Sequence, residues 1–97
     1  MYARVTMATA KLDKFDDAAK IMQDSILPAA KKQKGFKGFY YLADRKTGKG
    51  MTIVLWNTES DMMAGESSTY YKEQVAKVMS LLSQQPTMER YEVPVKG

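Results

Sequence analysis

MTIVLWNTESDMMAGE, residues Met51–Glu66, is the stretch on which the fold turns. It opens as a short apolar run rich in β-branched residues, Thr52 to Trp56, which predicts a buried strand. Asn57 and Thr58 stop that run. Thr58 and Asp61 stand three apart as a helix-starting pair, a hydroxyl that can cap free N–H groups and a carboxylate suited to a first turn. Strand, large aromatic, then an immediate helix start places Trp56 and Asn57 at the mouth of any cavity between sheet and helices.

Outward from this juncture the chain divides into alternating elements. Tyr2 to Ala8 alternates, with Ala3, Val5 and Met7 on one face and Tyr2, Arg4, Thr6 and Ala8 on the other, so a strand with one apolar and one mixed face is expected. Asp13 reads as an N-cap with Asp16 and Asp17 in the first turn. Phe15, Ala18, Ala19, Met22, Ile26, Ala29 and Ala30 recur at helical spacing. Pro28 predicts a kink or break at Leu27, and Gly35 ends the helix. FKGFYYLAD, Phe36 to Asp44, is a second strand, with Phe36 and Tyr40 on one face and Phe39 and Tyr41 on the other. RKTGKG, Arg45 to Gly50, is a hairpin turn. After the short helix from about Thr58, Gly65 interrupts the pattern. Ser67, Ser68 and Thr69 offer caps for a longer helix with the stripe Tyr71, Val75, Val78, Met79 and Leu82. Thr87 to Val95 is a last strand, which Pro94 consigns to an edge or an exit.

The 97 residues make one domain, residues 1–97, whose small size leaves roughly 60–65% of the unfolded surface buried. There is no cysteine and no histidine, which removes disulfide and thiol chemistry, the usual neutral-pH base and the commonest transition-metal ligand. No run has the apolar core of a signal peptide or the length of a membrane span, and a soluble cytoplasmic protein with no membrane partner is expected. The net charge is +4, with basic residues crowded between Lys31 and Lys49. They flank the second strand, and eight residues of strand separate the two groups by roughly 26 Å. They read as solvated surface rather than one patch.

The order βαββαβ, with right-handed crossovers, predicts an α+β ferredoxin-like fold: a four-stranded antiparallel sheet with both helical regions on one face. Strands 2 and 3 nevertheless carry large apolar groups at both parities, Val54 and Trp56 beside Ile53 and Leu55. A face left to solvent should alternate with polar residues. A partner sheet is the simplest cover, and a homodimer packed sheet to sheet is expected.

Pro28, GFKGFYYLAD (Gly35 to Asp44), TIVLWNTESDMMA (Thr52 to Ala64) and ERYEV (Glu89 to Val93) together resemble the antibiotic-biosynthesis-monooxygenase-like (ABM) family of the dimeric α+β-barrel superfamily, over nearly the whole chain. The resemblance implies a dimer whose two sheets form a barrel, with a pocket between helices and sheet in each subunit. It also implies, for some relatives, cofactor-free oxygenation of polyphenolic or quinol substrates, and for others haem degradation. The haem branch carries an asparagine on the first strand and a tryptophan and a histidine in the second helical region. Here the first strand has no Asn, and the other two positions are Gly65 and Val75, so haem degradation is not expected.

Cofactor-free oxygenation requires only that a site hold an electron-rich ring, help deprotonate it and stabilise an oxyanion. Trp56, Asn57, Tyr71, Phe15, Met22 and Met63 are the candidate ligand-binding residues, with Tyr70 beside them. Each has a plainer reading: Trp56 as a core plug, Asn57 as a turn residue, Tyr71 as core with its hydroxyl at the rim, the methionines as gap fillers. A base would have to be a carboxylate such as Glu66, a tyrosine or water. No catalytic residue is assigned, and neither a metal nor a cofactor is expected. RNA binding shares the βαββαβ order, but the positions that must stack bases in the third-strand octapeptide KGMTIVLW are Met51 and Ile53, which lack aromatic faces. The expected ligand is therefore a small apolar or aromatic molecule and not nucleic acid. A non-catalytic binding or stress-associated protein is the alternative to a monooxygenase.

Overall fold

A computed structural model describes residues 1–97, the side chain of Tyr70 excepted. The strands are β1 (Tyr2–Thr9), β2 (Phe36–Ala43), β3 (Lys49–Trp56) and β4 (Thr87–Glu92). The helices are α1 (Phe15–Ile21), α2 (Leu27–Lys31), α3 (Glu59–Glu66) and α4 (Thr69–Met79). The sheet order is β2-β3-β1-β4 and every pairing is antiparallel. This is the α+β ferredoxin-like arrangement. β4 pairs only with β1 and stops before Pro94, at the sheet edge. Among the described residues no helix is long and apolar enough to cross a membrane.

Several local details depart from the expected pattern. The first lies in β2, where the register shifts between Phe36 and Gly38. Lys37 is the extra residue of a bulge, and one extra residue inverts the parity of everything before it. Phe36 therefore shares a face with Phe39 and not with Tyr40, and both phenylalanines pack against Val54, Trp56 and Met62.

Pro28 does not break its helix, which continues from α1 through the π turn into α2. Residues Met22–Ile26 form a π-helical turn in which the Leu27 N–H donates to the Met22 carbonyl, five residues back. Proline has no N–H to return to Asp24 and its ring crowds that carbonyl. Widening the turn by one residue absorbs the misfit and lets the helix run on into α2.

Asp13 is not an N-cap. It lies in a 3₁₀ turn, Leu12–Lys14, that leads into α1, and Lys14 stands at the cap position. The two later starts follow the expected chemistry: Thr58 Oγ1 accepts from the Asp61 N–H at 3.0 Å and Ser68 Oγ from the Tyr71 N–H at 3.3 Å.

Gly65 does not end its helix either. It is a buried position inside α3, where a methyl on its Cα would stand 3.0 Å from Cη2 of Trp56. Gly35 does not end its helix: α2 stops at Lys31 with Lys32 as its C-cap, and Gly35, at φ +82°, makes the turn into β2, with the Asp61 side chain against the space a Cβ would need.

The sheet presents its mixed face to the helices. Arg4, Thr6 and Ala8 of β1 and Gly50, Thr52 and Val54 of β3 line the space beneath them. Strand alternation then sends Val5, Met7, Met51, Ile53, Tyr40, Leu42 and Tyr91 to the opposite side. On that outer face Tyr40, Leu42 and Tyr91 are 57%, 51% and 50% exposed.

Candidate functional site

Between the mixed face of the sheet and the helices lies a cavity of about 280 Å³. Arg4, Thr6, Thr52, Phe39 and Tyr41 form its floor. Ala18, Met22, Ile26 and Ala30 form one wall, and Tyr71, Gln74, Val75, Val78 and Met79 of α4 the other. A larger hollow of about 580 Å³ touches Met7, Leu42, Asp44, Lys49 and Met51 near the outer face, but it is an open groove. The cavity under the helices is the more sheltered of the two and the better able to strip water from a ligand.

Its dominant polar group is Arg4, which the sequence pattern marked only as part of a mixed face. The side chain is 3% exposed. Its guanidinium carbon lies 5.3 Å from the ring centre of Trp56 and 4.7 Å from that of Tyr71. Nη1 also donates to the Met62 carbonyl at 3.4 Å. Guanidinium over aromatic faces is favourable, more so once water is removed. Trp56 and Tyr71 thus hold this cation in place as well as fill volume. A lone arginine within an otherwise apolar and hydroxylic strand was the available signal for it.

Of the residues expected at a binding site, Met22 and Tyr71 stand in the cavity wall. Trp56, Asn57, Phe15 and Met63 are not among its described residues. Trp56 is 0% exposed and lies beneath Arg4 in the Val54–Trp56–Met62 cluster. Its Nε1 has no hydrogen-bond partner among the described residues. Asn57 is an exposed turn residue whose N–H donates to the Gly35 carbonyl at 2.8 Å. Phe15 lies under the Arg45 guanidinium at 4.5 Å, and Met63 is 45% exposed. Tyr70 lies outside the described side chains.

Glu66, considered as a base, is tied to β4. Arg90 Nε donates to its two oxygens at 3.0 and 2.8 Å and Arg90 Nη2 to Oε1 at 2.5 Å. This hydrogen bonding, followed by the carboxylate charge, raises the Arg90 pKa above its ordinary value. Tyr41 is the phenol on the cavity floor, and burial raises its pKa, keeping it a neutral donor. Across the cavity roof, Lys77 Nζ donates to Ser25 Oγ at 2.7 Å and Ser25 donates to Gln74 Oε1 at 3.3 Å, joining the π turn to α4. The arrangement can bind, orient and desolvate a flat molecule with one polar end.

Several solved structures share this arrangement of strands and helices. A proposed antibiotic biosynthesis monooxygenase from Nitrosomonas europaea superposes with a TM-score of 0.81 at 16% identity, over 98% of this chain and 100% of that one. A proposed antibiotic biosynthesis monooxygenase from Deinococcus radiodurans gives 0.83 at 12% identity, over 99% and 95%. This chain has the ABM fold. A protein of unknown function, also from Nitrosomonas europaea, gives 0.79 at 21% identity, over 99% and 91%. No family model matches the sequence, and no curated protein sequence matches it significantly. At these identities the likeness extends to the ABM fold and no further.

Proposed function

We propose that this protein is an ABM-like small-molecule-binding protein, a cytoplasmic homodimer that encloses an aromatic or otherwise apolar metabolite between sheet and helices. The observation that carries this reading is the partly open cavity of about 280 Å³ beneath the helices, with apolar walls and a polar floor. The dimer is supported by the outer face, where Tyr40, Leu42 and Tyr91 stand at least half exposed. Apolar groups of that size gathered on one sheet face are the mark of a surface that another surface covers.

Cofactor-independent oxygenation is the catalytic form of this proposal. An anthrone-type substrate would lose two hydrogens at its reactive carbon and gain one oxygen atom, the second atom of O₂ leaving as water, so the substrate supplies all the electrons. The protein's share would be to hold the ring and to stabilise the developing oxyanion. A non-catalytic binding protein is the second reading, favoured by the commitment of Glu66 to Arg90. Oxygen uptake with a panel of quinols and anthrones separates the two. Uptake above the uncatalysed rate supports the oxygenase. Ligand binding without any uptake supports the binder.

A further inference from the structure

Hydrogen bonding around the cavity leaves one set of groups for a ligand. We propose that the cavity takes an uncharged aromatic molecule bearing a carbonyl, and that the carbonyl oxygen accepts from the Tyr41 hydroxyl; this rests on the small-molecule reading above.

Much of the polar lining is already engaged. Among the described residues, Arg4 is the one charged side chain of the cavity. It is packed on the Trp56 and Tyr71 rings and donates to the Met62 carbonyl, so its charge serves the fold. Tyr71, the other phenol of the lining, donates its hydroxyl to Met88 Sδ at 3.3 Å. A charged ligand would give up its hydration with no opposite charge open to it, a cost that an uncharged one avoids.

What remains is a row of hydroxyls. Tyr41 of β2, Thr52 of β3 and Thr6 of β1 are register partners on the cavity floor. Directly opposed side chains in such a row stand about 4.5–5.5 Å apart at Cβ. Among the described residues none of the three hydroxyls has a hydrogen-bond partner. The Tyr41 ring lies over Gly50, its hydroxyl oxygen 3.3 Å from where a Cβ would stand, so the glycine makes room for the phenol on the floor.

The facing wall repeats the polarity. Lys77 has only donors, so Ser25 Oγ accepts from it and turns its own hydrogen to Gln74 Oε1. That fixes the Gln74 amide with its oxygen bound and its NH₂ without a partner among the described residues. Donors therefore stand on both sides of the cavity, and the atom that complements them is an acceptor without a hydrogen of its own, a carbonyl oxygen. Ala18, Met22, Ile26 and Val78 offer apolar surface to the rest of the molecule.

The test uses 2-acetonaphthone and 2-isopropenylnaphthalene, which has the same shape with CH₂ in place of the carbonyl oxygen. Each is measured by equilibrium dialysis against the whole protein and against Tyr41→Phe at pH 7. The substitution should weaken the ketone at least about fivefold and leave the hydrocarbon within about twofold, the scale of one neutral hydrogen bond. Equal effects on the two probes, or a ketone indifferent to the substitution, overturn the Tyr41 assignment and leave the cavity reading standing. So does binding of the hydrocarbon alone. The anion 2-naphthoate should bind the natural protein more weakly than the ketone, and tighter binding overturns the preference for an uncharged ligand. Failure of all three probes to bind overturns the cavity reading and this inference with it. Should Tyr41→Phe not fold, infrared spectroscopy of the ketone on the natural protein decides the matter. Its carbonyl stretch should lie below the value in cyclohexane, and a stretch at the cyclohexane position overturns the assignment.

Discussion

Gly65 lies against the edge of the Trp56 indole, so close that the methyl of an alanine would stand 3.0 Å from Cη2. The contact joins α3 to the end of β3 and explains a glycine inside a helix. Alanine at an ordinary helical position would stabilise by about 1 kcal/mol. Here the ring behind it is wholly buried and has nowhere to retreat, and overpacking of this kind typically costs about 1–3 kcal/mol. Gly65→Ala should therefore lower stability by about 1 kcal/mol in urea unfolding. A stabilised variant would mean that the indole yields.

Trp56 fills the centre of the small core, and Trp56→Ala should cost about 3–5 kcal/mol. Its Nε1 has no hydrogen-bond partner among the described residues. Trp56→Phe should then lose volume but no polar contact, and cost well under the alanine change. The two variants compared by chemical denaturation test this. Equal costs would show that the indole nitrogen matters.

Leu42 is 51% exposed on the outer face of the sheet. Leu42→Glu should leave the fold intact and shift a homodimer to an 11 kDa monomer in sedimentation at micromolar concentration. If the unaltered protein is already a well-behaved monomer, sheet-to-sheet association is wrong.

Tyr41 ionises less readily in the fold than in the unfolded chain, because burial disfavours its phenolate. Its folded pKa thus lies above the ordinary 10.0. The associated stability is fully present below pH 10 and is lost as pH rises through and beyond that value. Tyr41→Phe should reduce the alkaline loss of stability above about pH 10 and leave the acid side unchanged. Melting temperatures measured from pH 7 to 11 on both proteins would show it.

Much of the architecture is legible in the chain because the relevant rules are local. Thr58 and Ser68 cap their helices through hydroxyls that reach only three residues ahead. Gly35 takes a positive φ that other residues rarely adopt. Pro94 follows an edge strand because it cannot join a ladder. The alternation of β1 places Arg4, Thr6 and Ala8 together whatever lies above them.

The site was less legible, since its parts come from distant segments. Met22 and Tyr71 meet across the cavity, 49 positions apart in number, whereas Asn57 and Met63 follow the deciding strand closely and stand outside the wall. The bulge at Lys37 turned Phe36 over, and the π turn before Pro28 kept Met22 and Ile26 on a continuous wall.

Residue order alone determined the succession of strands and helices, the caps at Thr58 and Ser68 and the sidedness of β1, because those follow from backbone hydrogen bonding and side-chain period over a few residues. Only the packed structure decided that the arginine-bearing face of β1 turns inward, that Gly65 serves the Trp56 ring, and that Glu66 belongs to Arg90. Those outcomes depend on which surfaces meet through space, and a pattern of period two or 3.6 describes a surface without naming what will cover it.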